Sequence, residues 1–145
     1  MVSNLQVTLY QRAVRKGSFG MSKFYRIHDD RSASILELDL PDQIDTAEFD
    51  RLNESLLSLL EGKSGGNWII DMSSVNYMGS AMLGLMVNLR QQIKNIQGQL
   101  LLCALSPRLL GIFRTCCMER LFMIVRTREE ALKLTGKHPQ IAAER

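Results

Sequence analysis

The sequence predicts one α/β domain: a central, mostly parallel sheet of four to five strands, with an N-terminal hairpin and helices packed against it. The chain is 145 residues long, the usual size of a single domain. Hydrophobic residues make up 46% and charged residues 23%, as in soluble globular proteins. After a predicted hairpin, short apolar strands alternate with helices, which is typical of parallel sheets with right-handed crossovers. The longest apolar runs, such as 81–87, fall far short of the roughly 20 residues that cross a bilayer, so a membrane-spanning protein is not expected.

The hairpin is predicted from two strand-like segments, residues 24–28 and 34–40. The second segment is mostly apolar, with its polar side chains facing outward. The polar run 28–32 between the two segments is typical of a turn. Pro41 ends the second strand because proline cannot donate a hydrogen bond to a strand ladder.

The rest of the chain alternates helices with strands. A first helix is predicted over residues 46–60, where apolar side chains recur every three or four positions, and a second over 80–95 on the same spacing. Between them, the run Trp-Ile-Ile-Asp at 68–71 indicates a strand that is buried on both faces. The remaining predicted elements are a strand over 99–104, a helix from Pro107, a strand over 122–125 and a helix over 128–134.

The net charge of +3 comes from the first twenty positions. Three basic side chains are the only charged residues there, and from residue 21 onward fifteen basic residues balance fifteen acidic ones. We therefore expect a basic, frayed or variably docked extension over 1–21, a neutral domain over 22–135 and a tail over 136–145. No basic face is expected on the domain, so direct nucleic-acid binding is not predicted.

Three cysteines are present, Cys103, Cys116 and Cys117. Their number is odd and their spacing does not match a zinc site. All three lie in apolar contexts, where a reduced cysteine acts as a small core residue. For the adjacent pair we predict one buried and one half-exposed thiol. A reducing cytoplasm is the expected compartment.

No catalytic constellation is recognisable. The two histidines, His28 and His138, fall in the hairpin and in the tail, where neither is placed as a general base. No glycine-rich loop of the dinucleotide or Walker type occurs. The sequence therefore predicts no catalytic residues, no metal ligands and no cofactor. Of three hypotheses for the function, an enzyme that acts on a small molecule at the strand ends has the least support from the residues.

The segment 71–84 stands out because it starts at the end of a buried strand and leads straight into a helix. In open α/β sheets, ligands and partners meet the carboxyl ends of the strands, where this loop must lie. Ser80 is predicted at the N-cap, where a serine oxygen that accepts a backbone N–H contributes about 1 kcal/mol. Alternatively, Ser80 is a phosphoacceptor, because a helix start tolerates a phosphate locally while the added charge repels an acidic partner surface. Periodicity alone favours the cap.

This segment resembles the STAS domain family (sulfate transporter and anti-sigma factor antagonist), and most closely the bacterial anti-sigma factor antagonists. The family pattern is a buried strand ending in Asp, then a loop of the form aromatic-Met-Asp-Ser-Ser/Thr-Gly-Leu-Gly that opens a helix. Here the strand is 68–71 and the loop is Tyr-Met-Gly-Ser-Ala-Met-Leu-Gly at 77–84. The segments 98–113 and 121–132 also resemble the family, so the match covers about residues 22–135.

The resemblance implies a single STAS-like domain that acts as a regulatory protein-binding module. In partner-switching systems the unphosphorylated antagonist binds a serine kinase that is also the anti-sigma factor, which releases the sigma factor. Phosphorylation of the loop serine breaks the complex and a phosphatase restores it, and Ser80 aligns with this serine. The implied protein is cytoplasmic, is not inserted in a membrane, and is a monomer or weak dimer. The implied partner-binding residues are Asn76, Tyr77, Met78, Gly79, Ala81, Met82, Leu83 and Gly84.

The loop departs from the family pattern at three positions. Gly79 replaces the acidic residue before the serine, Ala81 replaces the second hydroxyl, and Met82 replaces a glycine that lets a partner approach the helix closely. The alternative hypothesis is therefore a STAS protein that works without phosphorylation, as a scaffold in a signalling assembly or as a small subunit of a lipid-transport ATPase complex. The first hypothesis needs the Ser80 hydroxyl, whereas the second needs only the shape and apolarity around Met82.

Several residues near the loop have a structural interpretation beside the functional one. Asp71 is predicted to bond loop N–H groups, Tyr77 to be a packed loop anchor, and Arg108 and Arg114 to lie on a solvated helix face. Four methionines cluster around the loop and helix, with core filling as the default and an adaptable partner surface as the alternative. These are Met72, Met78, Met82 and Met86.

Overall fold

A computed structural model describes residues 23–30 and 32–137 of the chain. The predicted extension over 1–21 and most of the predicted tail lie outside the described residues. The proposed domain limits therefore stay predictions. The last helix runs to Lys137, past the predicted end of the domain at 135.

The sheet has five strands in the order β1-β2-β3-β4-β5, which confirms the predicted α/β architecture. The first two strands are antiparallel, and the pairs β2–β3, β3–β4 and β4–β5 are parallel. Spatial order follows chain order, so each crossover connects neighbouring strands. The strands are β1 (Tyr25–Asp30), β2 (Ala33–Leu38), β3 (Asn67–Asp71), β4 (Gln99–Cys103) and β5 (Met123–Val125).

The hairpin is tighter than predicted. The expected turn over 28–32 is wrong in extent, because β1 continues to Asp30, which pairs with Ala33. The ladder continues because His28 and Asp29 also have partners in β2. A polar side chain on an edge strand faces solvent without cost, so polarity alone did not mark the end of the strand.

Four helices connect and cover the strands. They are α1 (Thr46–Ser58), α2 (Ser80–Asn95), α3 (Pro107–Thr115) and α4 (Arg128–Lys137). Asp45 caps α1 by accepting from the Glu48 N–H at 2.8 Å, and Ser106 caps α3 by accepting from the Leu109 N–H at 3.1 Å. A short 3-10 helix, Met118–Arg120, was not predicted.

The two faces of the sheet carry separate cores. Strand side chains alternate between the faces, so Ile70 and Leu102 belong to one core while Ile69 and Leu101 belong to the other. Helices α1, α2 and α3 cover the larger core, and α4 covers the smaller one through Ala131. Each fully buried aliphatic side chain contributes about 1.5–3 kcal/mol, so this sandwich holds the strand ends and their loops in place.

Candidate functional site

The loop between β3 and α2 lies at the carboxyl edge of the parallel strands, as predicted. It begins at Asp71, the last residue of β3, and ends at Ser80, the first residue of α2. Met72 fixes its start, because its N–H donates to the carbonyl of Cys103 at the end of β4, at 2.9 Å. The loop therefore spans two strand ends, the position at which open α/β sheets bind ligands and partners.

Asp71 anchors this loop. Its Oδ1 accepts from the N–H of Ser73 at 2.9 Å, which confirms the predicted bond to a loop N–H. Its Oδ2 accepts from Arg128 Nε at 2.9 Å, a contact that the sequence analysis missed. Burial opposes ionisation of this carboxyl, but the Ser73 hydrogen bonds and the nearby Arg128 charge outweigh burial and hold its pKa below the ordinary value.

Arg128 connects Asp71 to a second carboxylate on the same face of the sheet. Its Nη2 lies 2.6 Å from Glu37 Oε1 and 2.8 Å from Asp71 Oδ2. Its hydrogen bond to Glu37 is the largest cause that lowers the pKa of that carboxyl. The same Glu37 oxygen lies 3.2 Å from His28 Nε2. This network joins β1, β2, β3 and the start of α4.

Ser80 is not the N-cap, so the predicted cap is wrong. Gly79 occupies that position with an extended backbone (φ −82°, ψ 178°), and no side chain caps the helix. Ser80 is already helical, and the Leu83 N–H donates to the Gly79 carbonyl at 3.0 Å. The Ser80 side chain is exposed, and within the part of the chain that the structure describes its hydroxyl makes no hydrogen bond.

The predicted partner-binding residues divide into an accessible and a buried set. Asn76, Tyr77, Ala81 and Gly84 are exposed, and Gly79 is half-buried. The buried set consists of Met78, Met82 and Leu83.

The four methionines belong to the core. Met72 and Met86 are completely buried, and Met78 and Met82 are nearly so. All four pack in the larger core beneath α2, which confirms core filling as their role. Met82 therefore does not form part of the accessible surface, although it stands where the family has a glycine.

Tyr77 lies over the start of α2. It is 36% exposed, so the predicted packed anchor is wrong in that the ring is not buried. A Cβ atom at position 79 would lie 3.8 Å from Tyr77 Cε2, which places the ring beside the N-cap backbone. Arg108 is exposed as predicted, and its guanidinium lies 5.4 Å from the ring centroid of Tyr77. The two form a cation–π pair, with the Tyr77 ring beside Gly79.

The cysteines differ from the prediction. Cys103 is buried in the smaller core, and burial raises the pKa of its thiol to about 12. Cys116 and Cys117 are both exposed, so the predicted buried thiol of this pair is wrong. Both lie just after α3 ends, with Cys117 in the left-handed region (φ 56°), and this turn carries them away from the core.

The charges of the folded part are unevenly distributed along the chain. Between residues 72 and 128 there are seven arginines and lysines against one acidic residue, Glu119. These basic side chains are exposed or half-buried. The balance over the whole domain concealed this asymmetry, because the acidic residues concentrate before residue 72.

Within residues 23–30 and 32–137, no cluster of three or more histidine, cysteine, aspartate or glutamate side chains is arranged to hold a metal ion. None of the helices in that same part of the chain combines the length and the apolar character needed to cross a membrane.

A comparison with protein families decides the classification. The sequence model of the STAS domain matches residues 26–131, which is most of the chain and includes the whole sheet from β2 onward. The chain belongs to the STAS domain family. The predicted resemblance to this family is thereby confirmed.

Relatives of this STAS domain include anti-sigma factor antagonists. BtrV of Bordetella bronchiseptica, named as a candidate anti-sigma factor antagonist, is 25% identical over 88 residues, covering 61% of this chain and 75% of BtrV. An anti-sigma-factor antagonist (STAS) domain protein from Planctomyces limnophilus has a similar structure, with a TM-score of 0.67 at 21% identity, covering 77% of this chain and 97% of that one. SpoIIAA, a Bacillus cell fate determinant solved in its phosphorylated form, matches with a TM-score of 0.54 at 16% identity, covering 75% and 96%.

Proposed function

We propose that this STAS domain is an anti-sigma factor antagonist that binds an anti-sigma factor with serine kinase activity and is switched by phosphorylation at Ser80. The observation that carries the proposal is the state of the Ser80 hydroxyl. It is exposed at the start of α2 and makes no cap bond, because Gly79 holds the N-cap position. A hydroxyl in this state is available to a kinase without any opening of the fold.

The chemistry of the position suits a reversible phosphate. In the forward step the γ-phosphoryl group of ATP passes to Ser80 Oγ, the hydroxyl proton goes to the kinase's base, and ADP leaves. A phosphatase reverses the state with water, giving serine and inorganic phosphate. The phosphate adds roughly 1.5–2 negative charges at the positive end of α2, where the helix dipole stabilises it.

The same phosphate disfavours a complex across this surface. An interface that covers Ser80 must strip water from the phosphate, and an acidic partner surface is repelled by it. The proposed contact surface is the accessible set Asn76, Tyr77, Gly79, Ala81 and Gly84. The buried Met78, Met82 and Leu83 support this surface from below.

The comparisons support this proposal at the level of the family. BtrV is named as a candidate anti-sigma factor antagonist, and SpoIIAA has been solved in a phosphorylated form on a similar fold. Both the partner kinase and the phosphatase of this chain are part of the proposal.

A second function is a STAS scaffold or a small subunit of a signalling or lipid-transport ATPase complex, working without phosphorylation. One observation favours it. Gly79 leaves no carboxylate beside Ser80, and the Tyr77 ring lies against that position instead. A kinase that reads an acidic residue there would not find one. Such a scaffold would bind its partner through the same surface with Ser80 in either state.

Capture of partners from the native host's lysate distinguishes the two functions. Wild type is compared with Ser80→Ala and Ser80→Glu. Ser74→Glu serves as the matched control because Ser74 is exposed in the same loop but lies outside α2. The phosphoswitch predicts that an ATP-binding serine kinase is captured by every bait except Ser80→Glu. Equal recovery of one partner by all four baits would overturn the switch and favour the scaffold.

A further inference from the structure

Two clefts lie along the edge strand β5. The first has a volume of about 420 Å³ and lies between the C-terminal half of α2, the start of β4 and the start of β5. Its floor is apolar, with Ile93, Leu100 and Phe122 buried. Arg90, Lys94 and Arg120 line it, and no acidic side chain does.

The second cleft continues along the same strand on the α3 side. It has a volume of about 590 Å³ and shares Phe122 with the first. Arg114 and Arg126 bring two more positive charges, and Glu119 is the single carboxylate. Arg114 Nε lies 3.5 Å from Glu119 Oε2, with both side chains largely exposed. Such an exposed pair contributes little to stability. With two arginines and one glutamate, the cleft keeps a net positive charge.

Strand β5 itself offers a free edge. It pairs with β4 on one side only and closes the strand order of the sheet, so within the described residues its other side has no strand partner. Two large apolar side chains stand exposed at its start: Met123, its first residue, at 45%, and Leu121, two residues before the strand, at 39%. An edge strand with exposed apolar side chains is a template for the addition of another strand.

We infer that this edge is a second protein-binding surface, which takes an acidic, extended segment of a partner protein. Charge complementarity selects the partner, because five cations border the two clefts against one carboxylate. In an extended segment successive side chains point to opposite faces. Acidic side chains would then face the arginines and lysine while apolar ones cover Leu121 and Met123. The backbone of the segment would hydrogen-bond to β5.

The first cleft is remote from the proposed phosphorylation site. Ser80 is the first residue of α2, and Lys94 is near its C-terminal end. At 1.5 Å per residue the two ends are about 20 Å apart. A segment seated at the Lys94 end of the first cleft therefore leaves Ser80 accessible to another partner.

Fluorescence anisotropy with a labelled peptide tests this surface. The probe is a peptide of about eight residues, long enough to pass β5 and both clefts, in which glutamate alternates with valine or isoleucine. The double variant Lys94→Glu, Arg120→Glu should weaken binding by about tenfold or more, because it reverses two charges of the first cleft. The matched control, Arg51→Glu with Lys133→Glu, reverses two exposed charges on α1 and α4 and should leave binding unchanged. Equal loss in both doubles would overturn the proposal.

Further arms separate strand addition from other modes of binding. The same peptide with its backbone nitrogens methylated should not bind, because it cannot donate to β5, and retained affinity would overturn strand addition. Leu121→Ser should weaken binding and Ser80→Glu should not, whereas a loss in Ser80→Glu would overturn the separation of the two surfaces. The proposal would be overturned if the acidic peptide did not bind. It would also be overturned if anionic vesicles or duplex RNA bound more strongly than the peptide, or if the chain associated with itself through β5.

Discussion

Glu37 and Asp71 are direct neighbours across the parallel β2–β3 ladder, and the guanidinium of Arg128 lies between their carboxylates. Two like charges at matched register positions repel each other, so the pair needs a cation. Arg128 supplies it from the first residue of α4, the helix that covers the smaller core. Asp71 also accepts a hydrogen bond from the Ser73 N–H, so this ion network anchors the loop that leads to Ser80.

Replacing Arg128 with methionine should destabilise the domain by about 1–3 kcal/mol, because it leaves two partly buried carboxylates facing each other. Lysine should restore only part of the loss, since a single ammonium cannot reproduce the guanidinium's contacts with both acids. Urea unfolding gives the free energies. The control is Lys133→Met on the exposed side of α4, which should stay within about 0.5 kcal/mol of wild type. A similar loss in both variants would contradict the role of Arg128 as a clamp, the cation that holds Glu37 and Asp71 together.

The clamp also predicts how stability depends on pH. The pKa values of Glu37 and Asp71 are lowered in the folded protein, so both acids bind protons more readily when unfolded. Their contribution to the stability of the domain is therefore fully present above the ordinary carboxyl pKa of about 4. It is lost as the pH falls below that value toward the lowered pKa values of the folded protein. Thermal unfolding between about pH 7 and pH 3 should show a falling Tm, and Arg128→Met should flatten that fall. An unchanged slope in the variant would assign the acid sensitivity to other groups.

Two neighbouring residues in the first turn of α2 should differ in how mutation changes the stability of the domain. Met82→Ala should cost about 2–4 kcal/mol, because Met82 is buried in the larger core. Ala81→Ser, which restores the second hydroxyl of the family pattern, should change stability by less than about 0.5 kcal/mol because Ala81 is exposed. Urea unfolding of both variants measures the difference. A neutral Met82→Ala would mean that the side chain is not packed as described.

The cation–π pair of Tyr77 and Arg108 should matter for binding more than for folding. If the partner covers the Ser80 surface, Tyr77→Ala and Arg108→Ala should each weaken the complex by about 1–2 kcal/mol, because exposed tyrosines and arginines often carry interface energy. Tyr77→Phe keeps the ring under Arg108 and should retain most of the affinity. Titration calorimetry with the captured partner measures these values. Wild-type affinity in both alanine variants would place the interface elsewhere.

Thiol labelling should separate the three cysteines. Cys116 and Cys117 are exposed and should react with iodoacetamide in the folded protein, whereas Cys103 is buried and its thiol has a pKa of about 12. Mass spectrometry should therefore find up to two adducts before denaturation and a third only afterwards. Peptide mapping that located an adduct on Cys103 in the native protein would contradict its burial.

The elements were predictable from the sequence because each is encoded locally. The bounds of α2, Ser80–Asn95, match the predicted 80–95, since its apolar spacing is regular and Gly98 follows closely. The apolar runs 68–70 in β3 and 100–103 in β4 likewise mark buried strands. The 3-10 helix after α3 was missed, because three residues carry no periodicity.

The details of the site depended on information that is not local. The path of the loop from Asp71 decides whether the helix begins after Gly79 or after Ser80. The N-cap predicted from the sequence was therefore misplaced by one residue. The contact of Arg128 with both acids could not be predicted without the strand register, which places Glu37 opposite Asp71. A charge count taken over the whole domain concealed the uneven distribution of charge along the chain.

The order of the strands has a consequence for synthesis. Because each strand pairs with its neighbour in the sequence, the sheet can lengthen as the chain leaves the ribosome, starting from the hairpin. Helix α4 is the last described element to emerge, and until then Ile35, Ile69 and Leu101 have no cover while Glu37 and Asp71 have no cation. The nascent domain is thus a sheet with helices on one face only, and the apolar side chains of its other face are exposed to solvent. Arg128 and Ala131 cover that face once α4 has formed.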